Sequence, residues 1–246
     1  MKIRMLSLAA VIATGASLLG AGPAQAAPAR PATSDGAVRA TVDPATFIAI
    51  IKGAYDIYKS VTQGAAAQAA TAQILAAIES ARTDIINHID AIAAAQARAC
   101  AQEAVIDFHD FEALTTDNKQ AFALSTTSCV TLIDSLLAAV SDKAAADQLG
   151  FALDSVGPIA LIVRTRSGLT NTALVPVLVH ANQRVVSVLE PSCHPVIIER
   201  FTEWFCQSYN GDHAGPDIPL SSVRNQAGRR TSWAVAKAVL PTLTSL

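Results

Sequence analysis

The sequence predicts an all-α fold: a long disulfide-clamped antiparallel helical hairpin packed with several shorter helices. Three observations carry this. Hydrophobic residues make up 51% of the chain but aromatics only 5%, and alanine supplies much of the difference. Alanine favours helix because it has no side-chain entropy to lose there. Ile78, Ile85 and Ile92 recur every seven residues, with Ile74 and Ile89 alongside. The sequence midpoint of Cys100 and Cys129 falls inside a polar loop, residues 113–118.

The elements follow in chain order. Lys2 and Arg4, the apolar stretch Leu6 to Leu19 and the small-x-small run Ala24-Gln25-Ala26 have the form of a cleaved signal peptide, residues 1–26. Residues 27–42 are rich in Pro, Ala, Ser and Thr and read as a flexible leader. Residues 43–246 are then expected to form one helical domain, of ordinary single-domain size. Asp43-Pro44 is a helix start, with Asp as cap and Pro in the first turn. Phe47, Ile51 and Tyr55, with Ile50 and Ala54, form an apolar stripe, and Gly64 is the expected break.

From Ala65 to about Ala113 one continuous helix is expected, about 70 Å long for about 48 residues. Its isoleucine seam would pack lengthwise on another helix in coiled-coil fashion. Glu79, Arg82, Asp84 and Asp90 would face water. Asp117 and Gln120 resemble a capping box opening the second arm, continued by Leu124, Leu132, Leu136 and Val140. A short helix is expected from Asp142 to Leu153, and another from Pro158 to a stop at Gly168. Residues 173–189 carry β-branched residues that suit a strand. The lack of a partner strand and the position of Pro176 favour a helix started or kinked there. Pro195 would begin an aromatic helix carrying Ile198, Phe201, Trp204 and Phe205. Residues 208–230 read as loop, before a last helix that ends at Pro241.

Four cysteines in an exported chain suggest two disulfides. Three pairings exist. The hairpin geometry favours Cys100–Cys129, since two antiparallel helices joined at 113–118 bring those residues to one height. Small neighbours, Ala97, Ala99, Ala101 and Ser128, permit the close approach a disulfide needs. Cys193–Cys206 then closes a local loop. Each bond is worth about 3–4 kcal/mol on the chain-entropy account. A reactive Cys193 beside His194 is the weaker reading, because sequence neighbours do not face each other as nucleophile and base must.

The formal charge of −2 becomes −4 once residues 1–26 leave, since they hold Lys2 and Arg4 and no acid. That argues against a nucleic-acid partner. No transmembrane span is expected in the mature chain: the best candidate, residues 157–163, is short and is followed by Arg164 and Arg166. Zinc-protease, hydrolase-elbow, phosphate-loop and Cys-x-x-Cys motifs are absent, so no catalytic residue, cofactor or metal is expected. The densest polar group is "DFHDFE", with Asp107, His109, Asp110 and Glu112. On a helix Asp107 and Asp110 share a face while His109 points elsewhere. The plain reading is a solvated helix end with Phe108 and Phe111 packed inward. "NGDHAGPD", residues 210–217, lacks calcium-loop spacing and reads as a turn. Arg224, Arg229 and Arg230 read as charged surface, and Phe201, Trp204 and Phe205 as core.

These features point to a secreted, non-enzymatic helical protein that binds an unidentified protein or envelope surface. A second class is membrane-active. Residues 44–140, as a long alanine-rich amphipathic hairpin, resemble in a generic way the helical bundles of pore-forming toxins. That resemblance implies peripheral contact with lipid, against which a Cys100–Cys129 bond would hold the hairpin shut. A third class is a hydrolase whose site carries no motif.

Overall fold

The computed structural model describes residues 44–62, 72, 73, 76, 78, 79, 82, 85, 94–199 and 201–246. In chain order these form α1 (Pro44–Thr62), α2 (Ala95–His109), a 3-10 turn (Phe111–Ala113), α3 (Thr116–Ala139), α4 (Lys143–Arg166) and α5 (Leu174–Leu189). Three strands follow, β1 (Ser192–Ile198), β2 (Phe201–Gln207) and β3 (His213–Asp217), then α6 (Leu220–Gly228) and α7 (Ser232–Leu243). The described positions between 72 and 85 are also helical. Expectations for residues 1–43, Gly64, Ile74, Asp84, Ile89, Asp90 and Ile92 fall outside the described residues.

Helix α4 is the centre of the bundle. It packs against α1, α2, α3, α5 and α7, and every residue from Ala152 to Val163 is buried. A helix apolar on all sides must be enclosed on all sides. The expected pair of short helices is therefore one helix, with Pro158 inside it. Pro158 lacks only the N–H that would bond Asp154's carbonyl, and burial on all sides outweighs that loss. The apolar run is correspondingly longer than residues 157–163. By length and composition both α3 and α4 could cross a bilayer, which corrects the earlier count. Most of the apolar stretch of α4, however, is buried in the fold itself.

Close packing around α4 depends on glycine at two places. A methyl group at Gly150 would strike the Ser232 side chain and come within 3.2 Å of Val185. One at Gly157 would strike the Tyr55 hydroxyl and lie 2.9 Å from Leu178. The two contacts also show that α4 and α5 are antiparallel, since seven residues forward on α4 match seven backward on α5.

Helices α2 and α3 are bonded by Cys100–Cys129, with Cα atoms 5.6 Å apart. Glu103 accepts a hydrogen bond from Ser125 at 3.1 Å, so the two helices are antiparallel across the joint at Phe111–Ala113. Ile78 and Ile85 are buried, as are Phe108 and Phe111. The single helix expected from Ala65 to Ala113 is interrupted. Ala94 is extended, and α2 is 15 residues, about 22 Å. Alanine raises helix propensity everywhere but carries no side chain to mark an end. At the start of α3 the cap is Thr115, whose hydroxyl accepts from the Asn118 N–H, and not Asp117. The buried stripe of α3 is Phe122, Thr126, Cys129, Val130, Ile133 and Leu137. Leu124, which continues this arm, is 56% exposed.

The chain is not purely α. Residues 173–189 are helical, with Pro176 in the first turn of α5. Residues 192–217, expected as an aromatic helix and a loop, form an antiparallel sheet in the order β1-β2-β3. The physical reason lies in Val196, Ile197, Ile198 and Thr202, which crowd a helix but suit a pleat. The Cys193–Cys206 disulfide joins directly opposed residues of β1 and β2, with Cα atoms 4.1 Å apart. Part of the expected loop 208–230 is α6, and α7 passes Pro241 to Leu243. Asp147 on α4 ties the two layers together. It accepts from the Ser232 backbone N–H at 2.6 Å, the Ser232 hydroxyl at 2.7 Å and the Tyr209 hydroxyl at 2.6 Å.

Two glycine substitutions are expected to move stability in opposite directions. Gly157→Ala should lower it by about 1–3 kcal/mol through overpacking. Gly53→Ala, in α1 with nothing within 4 Å of the new methyl, should raise it by about 0.5–1 kcal/mol through helix propensity. Urea-unfolding midpoints of the two variants check both signs.

Candidate functional site

The β1–β2 hairpin is the part of the molecule least explained by folding. Its pairing runs from Ser192–Gln207 to Ile198–Phe201, and Glu199 follows β1 as a turn residue. Glu199 has φ +57°, the left-handed region that tight hairpin turns require. Side chains alternate between faces. Cys193, Pro195 and Ile197 share one face with Cys206, Trp204 and Thr202. Near the disulfide that face is covered by α6, where Cys193, Trp204 and Cys206 pack with Leu220, Val223 and Ala227. Helix α6 has 9 residues and is about 13 Å long, whereas a seven-residue strand spans about 23 Å. The far half of the hairpin therefore extends past its cover.

That far half is apolar on both faces. Ile197 is 82% exposed on one face, and Phe201 is 73% exposed on the other beside Ile198. The pairing of Trp204 with Asp217 brings Ile218, 63% exposed, alongside Glu203. Phe201, expected in the core, is thus on the surface. Trp204 and Phe205 are half-buried. Phe205 lies between two imidazoles, with ring centres 5.3 Å from His194 and 5.7 Å from His213. The signal for this was present in the sequence as the β-branched run Val196-Ile197-Ile198 with Thr202, which aromatic spacing obscured.

Other polar candidates are dispersed. In "DFHDFE", His109 Nδ1 is 3.1 Å from Glu79 Oε2, on the preceding helical segment. Glu112 pairs with Lys119 and Arg166. Partial burial raises the Asp107 carboxyl above its usual value, with Glu103 and Asp110 adding to the effect. His180 Nδ1 meets Asp134 at 2.7 Å on the surface. Arg224 pairs with Glu190 at 2.7 Å and Arg230 with Asp212 at 3.6 Å. In residues 210–217, Asn210 accepts from the Asp212 N–H and forms the turn into β3. Among the described residues no three His, Cys, Asp or Glu side chains converge as metal ligands.

A second anomaly lies inside the bundle. Asp154 on α4 is 1% exposed. Neither of its carboxyl oxygens has a hydrogen-bond partner, nor has the Tyr55 hydroxyl of α1 or the Asn182 Oδ1 of α5. The Asn182 amide donates to Leu178's carbonyl at 2.8 Å. Asp154 lies between Gly150 and Gly157 on one helix stripe, and Asn182 between Leu178 and Val185 on the facing one. The antiparallel register thus sets Asn182 across from Asp154. Burial pushes the Asp154 carboxyl well above the usual range, and Asp147 adds to this. Burial likewise raises the Tyr55 hydroxyl, helped by Asp154. Sequence reading missed the cluster, because Asp154 carries no motif.

Ile197→Ser and Phe201→Ser are expected to change stability by less than about 0.5 kcal/mol each, as surface positions do. Thermal unfolding of both variants tests whether the apolar prong serves the fold.

No protein-family model, curated protein sequence or solved structure matches this chain.

Proposed function

We propose that the chain is an exported, non-catalytic binding protein that grips a protein or envelope surface with the apolar prong of the β1–β2 hairpin. The observation that carries this reading is the exposure of Ile197 and Phe201 on opposite faces of one rigid hairpin. Large apolar side chains exposed together mark interaction sites. Export is supported by the signal-like pattern of residues 1–26. Two disulfides are compatible with an oxidising compartment. Fully covering an Ile or Phe side chain is worth about 1.5–3 kcal/mol. Two such residues give roughly 3–6 kcal/mol gross, near the low end of the roughly 4–15 kcal/mol cost of association. A stable complex therefore also engages Ile198, Ile218 or the His194–Phe205–His213 row. A photoreactive residue at position 201 of the oxidised full chain, applied to the producing cells, should give a discrete adduct that one at position 138 does not. Native chain should compete for that adduct, and the Ile197→Ser/Phe201→Ser chain should not. Equal labelling at both positions, or none at 201, overturns the reading.

The second reading is a membrane-active bundle, favoured by the length and apolarity of α3 and α4, 24 residues each. Here α4 would have to leave the centre of its own fold, with α3 held to α2 by Cys100–Cys129. The first reading expects no dye release from anionic lipid vesicles by oxidised or reduced chain. Release only after reduction supports the second reading, and release by the oxidised chain supports it without the disulfide as a lock.

A further inference from the structure

We propose that Asp154, enclosed with Tyr55 and Asn182 between α1, α4 and α5, is a proton-operated latch: the bundle is built around its neutral carboxyl and loosens when that proton leaves.

Four side-chain oxygens at this place lack partners: both of Asp154, the Tyr55 hydroxyl and Asn182 Oδ1. Pro158 also removes the N–H that would serve Asp154's own carbonyl. The Tyr55 hydroxyl is a potential donor here, and the Asn182 amide already bonds Leu178. A carboxylate here would be a buried charge with no bonded donor. A neutral carboxyl avoids that charge.

No cation offsets the charge. The elements packed on α4 are α1, α2, α3, α5 and α7. From α1 the titratable group facing Asp154 is Tyr55, and on α4 itself it is Asp147. The buried residues of α2, α3, α5 and α7 include no ionisable side chain, and no lysine, arginine or histidine is buried among the described residues. A metal ion fits less well than a proton. Calcium takes about 6–8 oxygens, and one carboxylate with two neutral oxygens falls short. A proton needs one.

The folded carboxyl holds its proton at a higher pH than an unfolded aspartate, which titrates near about 3.9. Below that value both states are protonated and the contribution to stability is fully present. As pH rises from there towards the folded value, only the unfolded state gives up the proton, so stability falls. The unfolding equilibrium constant grows by about tenfold per pH unit in that window. Above the folded value both states are ionised and the loss is complete. The proton goes to solvent as the bundle opens.

The test compares native chain with Asp154→Asn in urea unfolding across pH 4–8, with Asp110→Asn on the surface as control. Asp154→Asn should abolish a tenfold-per-unit component of the pH dependence that the native chain and Asp110→Asn retain. Identical profiles for native chain and Asp154→Asn overturn the proposal. If Asp154→Asn does not fold, carbon NMR titration of the native chain decides: the Asp154 carboxyl should change state well above the ordinary aspartate range, and titration within that range overturns the proposal. Stability that rises with added calcium at constant pH, and no longer does so in Asp154→Asn, also overturns it, assigning the site to a cation.

Discussion

Enclosure of one helix by five others is the constraint on which the remaining structure depends. Helix α4 has no face left for water from Ala152 to Val163. Its neighbours can close around it only where its side chains are small, which explains Gly150, Ala152, Ser155, Gly157 and Ala160 along one element. The same enclosure makes a proline tolerable at its centre and leaves one carboxyl far from solvent. Packing, polarity and backbone irregularity are here three results of a single geometric demand. The bundle is less a hairpin with attachments than a central rod with a sheath.

Much of this was legible in the sequence where chemistry is local. Pro44 opens α1, and Ile51 and Tyr55 are buried as their spacing requires. Ile78 and Ile85 face inward, and Phe108 and Phe111 are core. The two arms of the α2–α3 hairpin meet where the midpoint of Cys100 and Cys129 places the turn. What was not legible depended on tertiary context. Pro158 normally begins or ends a helix, and only the packing of five neighbours reverses that rule. Residues 192–207 carry β-branched residues that suit a strand but also aromatic residues at helical spacing, and the partner strand lies in the same short segment. Leu124 carries the chemistry of a core residue and sits on the wrong side of the stripe led by Phe122. The break at Ala94 has no signal in an alanine-rich run.

The functional candidates divide in the same way. The acidic and histidine-bearing stretch at 107–112 looked dense on paper, but the fold disperses it into ion pairs with Glu79, Lys119 and Arg166. The two places that stand out in space are assembled from residues with no motif. One is the far end of a hairpin, visible only once the length of α6 is set against the strands it covers. The other is a trio of buried polar side chains contributed by three helices, visible only once Gly150 and Gly157 fix how α4 lies on α5. Sequence gives residue types, and these sites are made by levels and faces.

Pro195 draws a last consequence from the hairpin. Opposed residues at Cys193–Cys206 are the close, non-hydrogen-bonded kind, so by alternation the main-chain groups of residues 193, 195 and 197 point away from β2. The outer rim of the sheet therefore has an imino ring at its middle and cannot recruit a further ribbon by backbone pairing there. A partner of the kind proposed for the tip would therefore have to fit against the β1 margin by shape and not by extending the pleat there.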